Sequence, residues 1–175
     1  MEISKLCFIK RKHTREVFMN QDDVTTFTRR ITNGNKSEII AVLFDMIQVD
    51  LDDALDGLRN HEQEEYMEAL RHASEVLEHL QNALDFNYDI SKDLYSLYDY
   101  CKRVIAKAMY SGREEGILEA REVIDPLAEA FREVAENDDS APLMENAQKI
   151  AAGLTYGRND VNESVDNSDN RGFLA

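Results

Sequence analysis

From Ile40 to Leu58, apolar side chains return every three or four residues: Ile40, Leu43, Phe44, Ile47, Leu51, Ala54, Leu55 and Leu58. That interval puts them on one face of an α-helix and cannot be laid on a strand, whose faces alternate every residue. Asn35 precedes the stripe and Glu38 follows it three residues later, a variant of the capping box. The Asn35 side chain is expected to accept an amide of the first turn while Glu38 reaches back to the Asn35 amide. The helix is expected to close near the "GLRN" of residues 57–60, after about 23 residues.

Three more stripes follow. Tyr66, Ala69, Leu70, Ala73, Val76, Leu77, Leu80 and Leu84 mark a second helix, which stops before "DFNYDIS". Leu94, Leu97, Tyr98, Cys101, Val104, Ile105 and Ala108 mark a third, from Lys92 to about Tyr110, ended by Ser111–Gly112. Ile117, Ala120, Ile124, Leu127, Phe131 and Val134 mark a fourth, ending at "ENDDS". Pro126 lies inside it and lacks the amide that an interior helical position donates, so a kink or a break is expected there. Ser140 is expected to cap a short fifth helix over residues 141–152, ended by Gly153. With only 7 glycines and 2 prolines in 175 residues, little else interrupts the pattern. The fold expected is all-α: an antiparallel up-and-down four-helix bundle with a short fifth helix and flexible N- and C-terminal extensions. The boundaries are an N-terminal arm over residues 1–34, the bundle over 35–152 and a disordered tail over 153–175.

Charge is distributed unevenly. The chain carries −15 in total, yet residues 1–36 hold eight Lys/Arg against four acids, leaving −19 on the rest. A basic arm on an acidic body is expected to lie on that body or to meet a separate partner. The body repels phosphates, which argues against nucleic acid as the main ligand. The opening "MEISKLCFIKRKHTREVF" has no sustained apolar run, so no secretory signal is read in it. No stretch of about eighteen apolar residues is present to insert in a membrane. The expected compartment is the cytoplasm, with Cys7 and Cys101 reduced.

Catalytic chemistry finds little support. Glu68, His72, Glu75 and His79 share one face of the second helix, but carboxylate-bridged metal bundles need Glu-x-x-His pairs on two helices and two further inward glutamates. A solvated flank with i,i+4 pairing explains these four residues better. Neither histidine has the basic, small-residue surroundings that would stabilise a phosphoryl group. No Ser/Cys/His arrangement and no glycine-rich phosphate loop is present. The expectation is a non-enzyme with no metal and no cofactor.

The feature in excess is aromatic. Phe86, Tyr88, Tyr95, Tyr98 and Tyr100 crowd the start of the third helix in a chain that is only 8% aromatic. Taken singly, Phe86 staples the turn, Tyr98 fills the core and the remaining tyrosines are amphipathic surface. Taken together, beside the wide stripe from Leu94 to Ile105, they suggest a second apolar face that receives a helix from another molecule.

"LDFNYDISKDLYSLYDYCKRVIAKAM" resembles the signature of the flagellar export chaperone FliS family. The matching residues are Leu84-Asp85-Phe86, then Leu94, Leu97-Tyr98-Asp99-Tyr100 and Ala108, with Met109 where asparagine is usual. In the first helix, Asn35-Lys36-Ser37-Glu38 and Leu43-Phe44-Asp45 stand where the family has its capped Ser-Pro-Glu-Glu and Leu-Tyr-Asp. The resemblance covers about residues 24–136. Phe131 stands where tryptophan is common, and the arm and tail are longer than usual. The resemblance implies a cytoplasmic, non-enzymatic chaperone. It would hold the disordered C-terminal segment of flagellin in apolar grooves, block premature polymerisation and present the subunit to the export gate. The groove is expected from Ile40, Phe44, Leu80, Leu84, Phe86, Leu94, Leu97, Tyr98 and Cys101. The periodicity does not separate groove from core among them. The alternative is a dimerising helical adaptor or regulatory protein that turns the aromatic face on a second copy of itself. The arm, through Phe27 and Ile31, and the tail, through Leu154, Tyr156, Phe173 and Leu174, are further expected to cover the groove when no client is bound.

Overall fold

The computed structural model describes residues 21–144. Five helices occupy them: α1 (Gln21–Asn33), α2 (Lys36–Arg59), α3 (Gln63–Asn82), α4 (Ile90–Ser111) and α5 (Glu115–Glu136), with no strand among the described residues. Helices α2 to α5 form the antiparallel bundle, each packed on two neighbours in the cycle α2–α3–α4–α5–α2, while α1, among the described helices, touches α2 alone. The expected stripes supply the observed core, with Leu97 and Val134 as the members left exposed. Phe44, Ile47, Leu51, Tyr66, Leu70, Leu77, Tyr98, Ile105, Ile117 and Ile124 are all fully buried.

The first cap forms by half. Asn35 accepts the Glu38 amide at 2.8 Å, but the Glu38 carboxylate holds Arg30 Nε at 2.7 Å instead of reaching back. At the far end of α4, Gly112 adopts φ 64°, a left-handed conformation that a side chain disfavours, and its amide returns to the Ala108 carbonyl. The same carbonyl accepts the buried Tyr66 hydroxyl at 2.6 Å, so α3 satisfies part of the end of α4.

Several expectations are corrected. Helix α5 runs through Pro126 as one helix, so of the kink or break expected there the break does not occur; Pro126 and Glu122, whose carbonyl loses its donor, are both exposed to water. Val134 is half exposed rather than inward, because the chain leaves the bundle within a turn of it. Residues 140–144 are not helical; the rest of the expected fifth helix and the tail lie outside the described residues. Residues 138–143 strap the end of α5 to the α1–α2 turn. Asn35 Nδ2 donates to the Asp138 carbonyl at 2.7 Å, Ser37 Oγ to the Asp138 carboxylate at 2.5 Å, and the Leu143 amide to the Gly34 carbonyl at 3.1 Å. The fifth observed helix is α1, inside the segment read as the arm. At 13 residues it is marginal alone, and it is stabilised by laying Phe27 and Ile31 on Val42, Met46 and Val49 of α2.

His72 is also not a solvated flank. Its Nδ1 lies 2.7 and 2.9 Å from the two oxygens of Asp50, a carboxylate that is wholly buried on α2. Burial raises Asp50 despite the imidazole, and the hydrogen bond to Asp50 raises His72. Both shifts mean that the folded pair retains protons to higher pH than the unfolded chain does. The share carried by His72 is therefore complete below about pH 6.5, its ordinary value, and is lost as pH rises through its raised value, whereas the share carried by Asp50 is complete only below about 3.8 and is lost as pH rises through its own raised value.

Two outcomes follow for stability. Gly116 lets α5 approach α4 so closely that a Cβ there would collide with the Val104 carbonyl oxygen. Gly116→Ala should cost about 1–3 kcal/mol in denaturant unfolding, opposite in sign to the gain of about 1 kcal/mol typical of helix interiors. His72→Gln should cost roughly 2 kcal/mol below pH 6.5, less than a fully buried pair would because His72 is half solvated, and distinctly less at pH 9. Urea midpoints measured across that range check the sign; a cost that grows with pH contradicts it.

Candidate interaction site

The connection from α3 to α4 is folded around one side chain. Asp85 Oδ1 accepts the Asn87 amide at 3.0 Å and its side-chain amide at 2.7 Å, while the Asp85 carbonyl accepts the buried Ser91 hydroxyl at 2.6 Å. The Tyr88 amide returns to the Asp85 carbonyl, and the Ser91 amide to the Tyr88 carbonyl. With polar groups thus satisfied inward, the large side chains of the turn point out. Phe86 is 54% exposed, Tyr88 65% and Ile90 63%. Phe86 lies against Tyr95 with ring centroids 6.0 Å apart and a tilt of 57°, so two half-exposed rings brace each other outside the bundle. Leu97 and Tyr100 are exposed farther along α4, on the flank turned away from Tyr95.

The nine residues expected to form a groove divide into three layers. Phe44, Leu80, Tyr98 and Cys101 are buried in the bundle core, with Phe44 against the rings of Tyr98 and Phe131. Ile40, Leu84 and Leu94 are half-buried and pack on that core from outside. Phe86 and Leu97 are exposed. Of the five crowded aromatics, only Tyr98 is core; the other four face solvent. Ile90 was not among the expected residues, since it precedes the first turn expected for the helix. Its β-branched, apolar side chain beside two exposed rings was the available signal. Because α2 and α4 start, and α3 ends, at one pole of the antiparallel bundle, Ile40, Leu84, Phe86, Ile90 and Leu94 gather there.

The chemistry of this surface is that of adhesion. Burial pushes the Cys101 thiol up to about 11 and the Tyr98 phenol up to about 12, so neither ionises at neutral pH. Among the described residues no group of three or more His, Cys, Asp or Glu side chains is placed to hold a metal ion, and Glu68, Glu75 and His79 are not drawn into any such cluster. No helix among them is long and apolar enough to cross a membrane.

Asp45, the acid of the Leu43-Phe44-Asp45 motif, has a part that the motif alone does not disclose. Its Oδ2 accepts Arg30 Nη1 of α1 at 2.6 Å and its Oδ1 accepts Arg132 Nη2 of α5 at 2.8 Å, so one carboxylate joins three helices. Arg132 also donates to Gln48, which donates in turn to Asp125 of α5.

No curated protein matches the chain. A family model does: that of the flagellar protein FliS matches residues 19–138, from the residues before α1 to the start of the strap beyond α5. Its members are non-enzymatic chaperones, and membership implies a role in flagellin export. The match spans all five helices, the three-helix anchor at Asp45 and the exposed surface around Phe86, and on it this chain belongs to the flagellar protein FliS family.

Proposed function

We propose that the chain is a cytoplasmic export chaperone that takes the disordered C-terminal segment of flagellin on the apolar pole of its bundle. There it prevents premature polymerisation and delivers the subunit to the export gate. Within the bundle, Phe86, Tyr88, Ile90, Tyr95, Leu97 and Tyr100 make the contact surface, and Ile40, Leu84 and Leu94 its half-buried floor. Phe44, Leu80, Tyr98 and Cys101 act from behind, as the rigid layer on which that floor rests.

The observation that carries this reading is the set of large apolar side chains held outward by the Asp85 turn. Phe86, Tyr88 and Ile90, with Tyr95 braced on Phe86, are more than a self-sufficient bundle needs to expose in one place. A disordered client must lose its chain entropy on binding, and apolar burial at about 25 cal/mol per Å² offsets that loss most effectively on a preformed surface. The acidic body, at −19 beyond residue 36, keeps a molecule with so adhesive a pole apart from its own copies.

Calorimetric titration of the full chain with a flagellin C-terminal peptide tests the proposal. Phe86→Ala and Leu97→Asp should each weaken binding by about 2 kcal/mol or more, roughly thirtyfold, while changing the stability of the bundle by less than about 1 kcal/mol. Leu84→Asp should weaken both binding and fold, because Leu84 is half-buried against the core. Binding undiminished in folded Phe86→Ala and Leu97→Asp proteins removes this pole from the site. A tight homodimer indifferent to flagellin, seen by light scattering, supports the self-associating adaptor instead.

A further inference from the structure

Helix α1 covers a stripe of α2 that begins apolar and ends in an acid. Val42, Met46 and Val49 pack with Phe27 and Ile31, and Asp53 is the next residue along the same face, one turn beyond Val49. Only Gly34 and Asn35 join the two helices, so α1 runs antiparallel to α2 and brings its first turn, with Asp22 and Asp23, toward Asp53. Asp53 Oδ2 is closed off from solvent and has no hydrogen-bond partner among the described residues. The acids around it come from two helices: Asp23 of α1, and Asp50, Asp52 and Asp56 of α2. Among the described residues, the nearby bases His72 of α3 and Arg121 of α5 are engaged elsewhere, His72 by Asp50 and Arg121 by Asp52 and Asp125. At its other end α1 is clamped by Arg30 on Glu38 and Asp45.

We propose that the seating of the first half of α1 on α2 is linked to a proton on Asp53: the helix lies tight when this carboxyl is neutral and loosens from its first turn when it ionises. An ionised carboxylate with a buried, unbonded oxygen facing other carboxylates is stabilised by loosening, which lets water reach it. The protonated form has no charge to desolvate and no repulsion to relieve. Arg30 keeps the far end in place, so loosening starts at Gln21 and progresses toward Phe27, uncovering Val49 before Val42. Consistent with this geometry, burial first and the surrounding aspartates second push Asp53 up to about 6 from an ordinary 3.8. A raised value in the docked state means that docking is most stable below about pH 4 and weakens as pH rises toward 6, then levels off. The full shift corresponds to roughly a hundredfold change in the docking equilibrium, and solvent around the half-exposed Asp53 reduces this to about tenfold.

Two measurements on the full chain decide the matter. The carboxyl carbon shift of Asp53, followed by NMR titration, should have its midpoint near 6; a midpoint near 4 overturns the proposal. Amide hydrogen exchange in α1, corrected for intrinsic rates and referred to α3, should lose about tenfold in protection between pH 4.5 and 7 relative to Asp53→Asn. At pH 7 the Asp53→Asn protein should protect α1 better than the parent does. Parallel pH profiles for the two proteins, or poorer α1 protection in the variant, overturn it as well. The outcome is independent of flagellin binding, so the proposed function and this linkage stand or fall separately.

Discussion

Everything in this fold is arranged about a helix that has almost no free side, and one carboxylate sets how that helix is turned. Helix α2 meets α3, α5 and α1, and nine of its 24 residues are buried. An apolar helix enclosed in this way has weak preference for any one rotation about its axis, because greasy contacts are not directional. Asp45 supplies the direction. Held between Arg30 and Arg132, it fixes which face of α2 looks toward α1 and which toward α5, and Gln48 and Asp52 repeat the instruction toward α5. Partly buried charge-assisted bonds of this kind specify one arrangement more than they add to stability.

With α2 set, the opposite side of the molecule is free to be adhesive. The Asp85 turn satisfies its own polar groups and leaves the rings of Phe86 and Tyr88 without an internal place to go. Beneath them the core is packed through Phe44, Tyr98 and Phe131, so the apolar pole rests on a stiff support. Under the proposed function, a chaperone for a segment that lacks structure gains from such rigidity, since only one partner then loses conformational entropy. The same molecule carries, on the far face of α2, a contact weak enough to respond to a single proton. Stability is distributed accordingly, with a firm bundle, a presented surface and one lightly held helix.

Much of this was readable in the order of residues. The four stripes from Ile40 to Phe131 give the helices and most of the core, because a helix must return a side chain to one face every three or four residues whatever it packs on. Asn35 and Gly112 mark their ends for equally local reasons, an amide to be capped and a left-handed residue to be accommodated. The aromatic excess near Tyr95 was visible as excess. Its division was not: Tyr98 and Leu97 are adjacent, both lie near the stripe, and one is buried while the other is exposed.

What sequence alone determined is therefore whatever depends on neighbours in the chain: helical periodicity, caps, the self-contained Asp85 turn and membership in a family. What only the tertiary structure decided is whatever depends on distance between helices. His72 found a buried carboxylate 22 residues away, Glu38 left its expected cap role to bind Arg30, Val134 lost its expected burial where the bundle ends, and α1 became a packed helix by covering Val42. Each is a matter of which surfaces meet once the helices are assembled, and a one-dimensional pattern records the face a residue lies on without recording what stands opposite it.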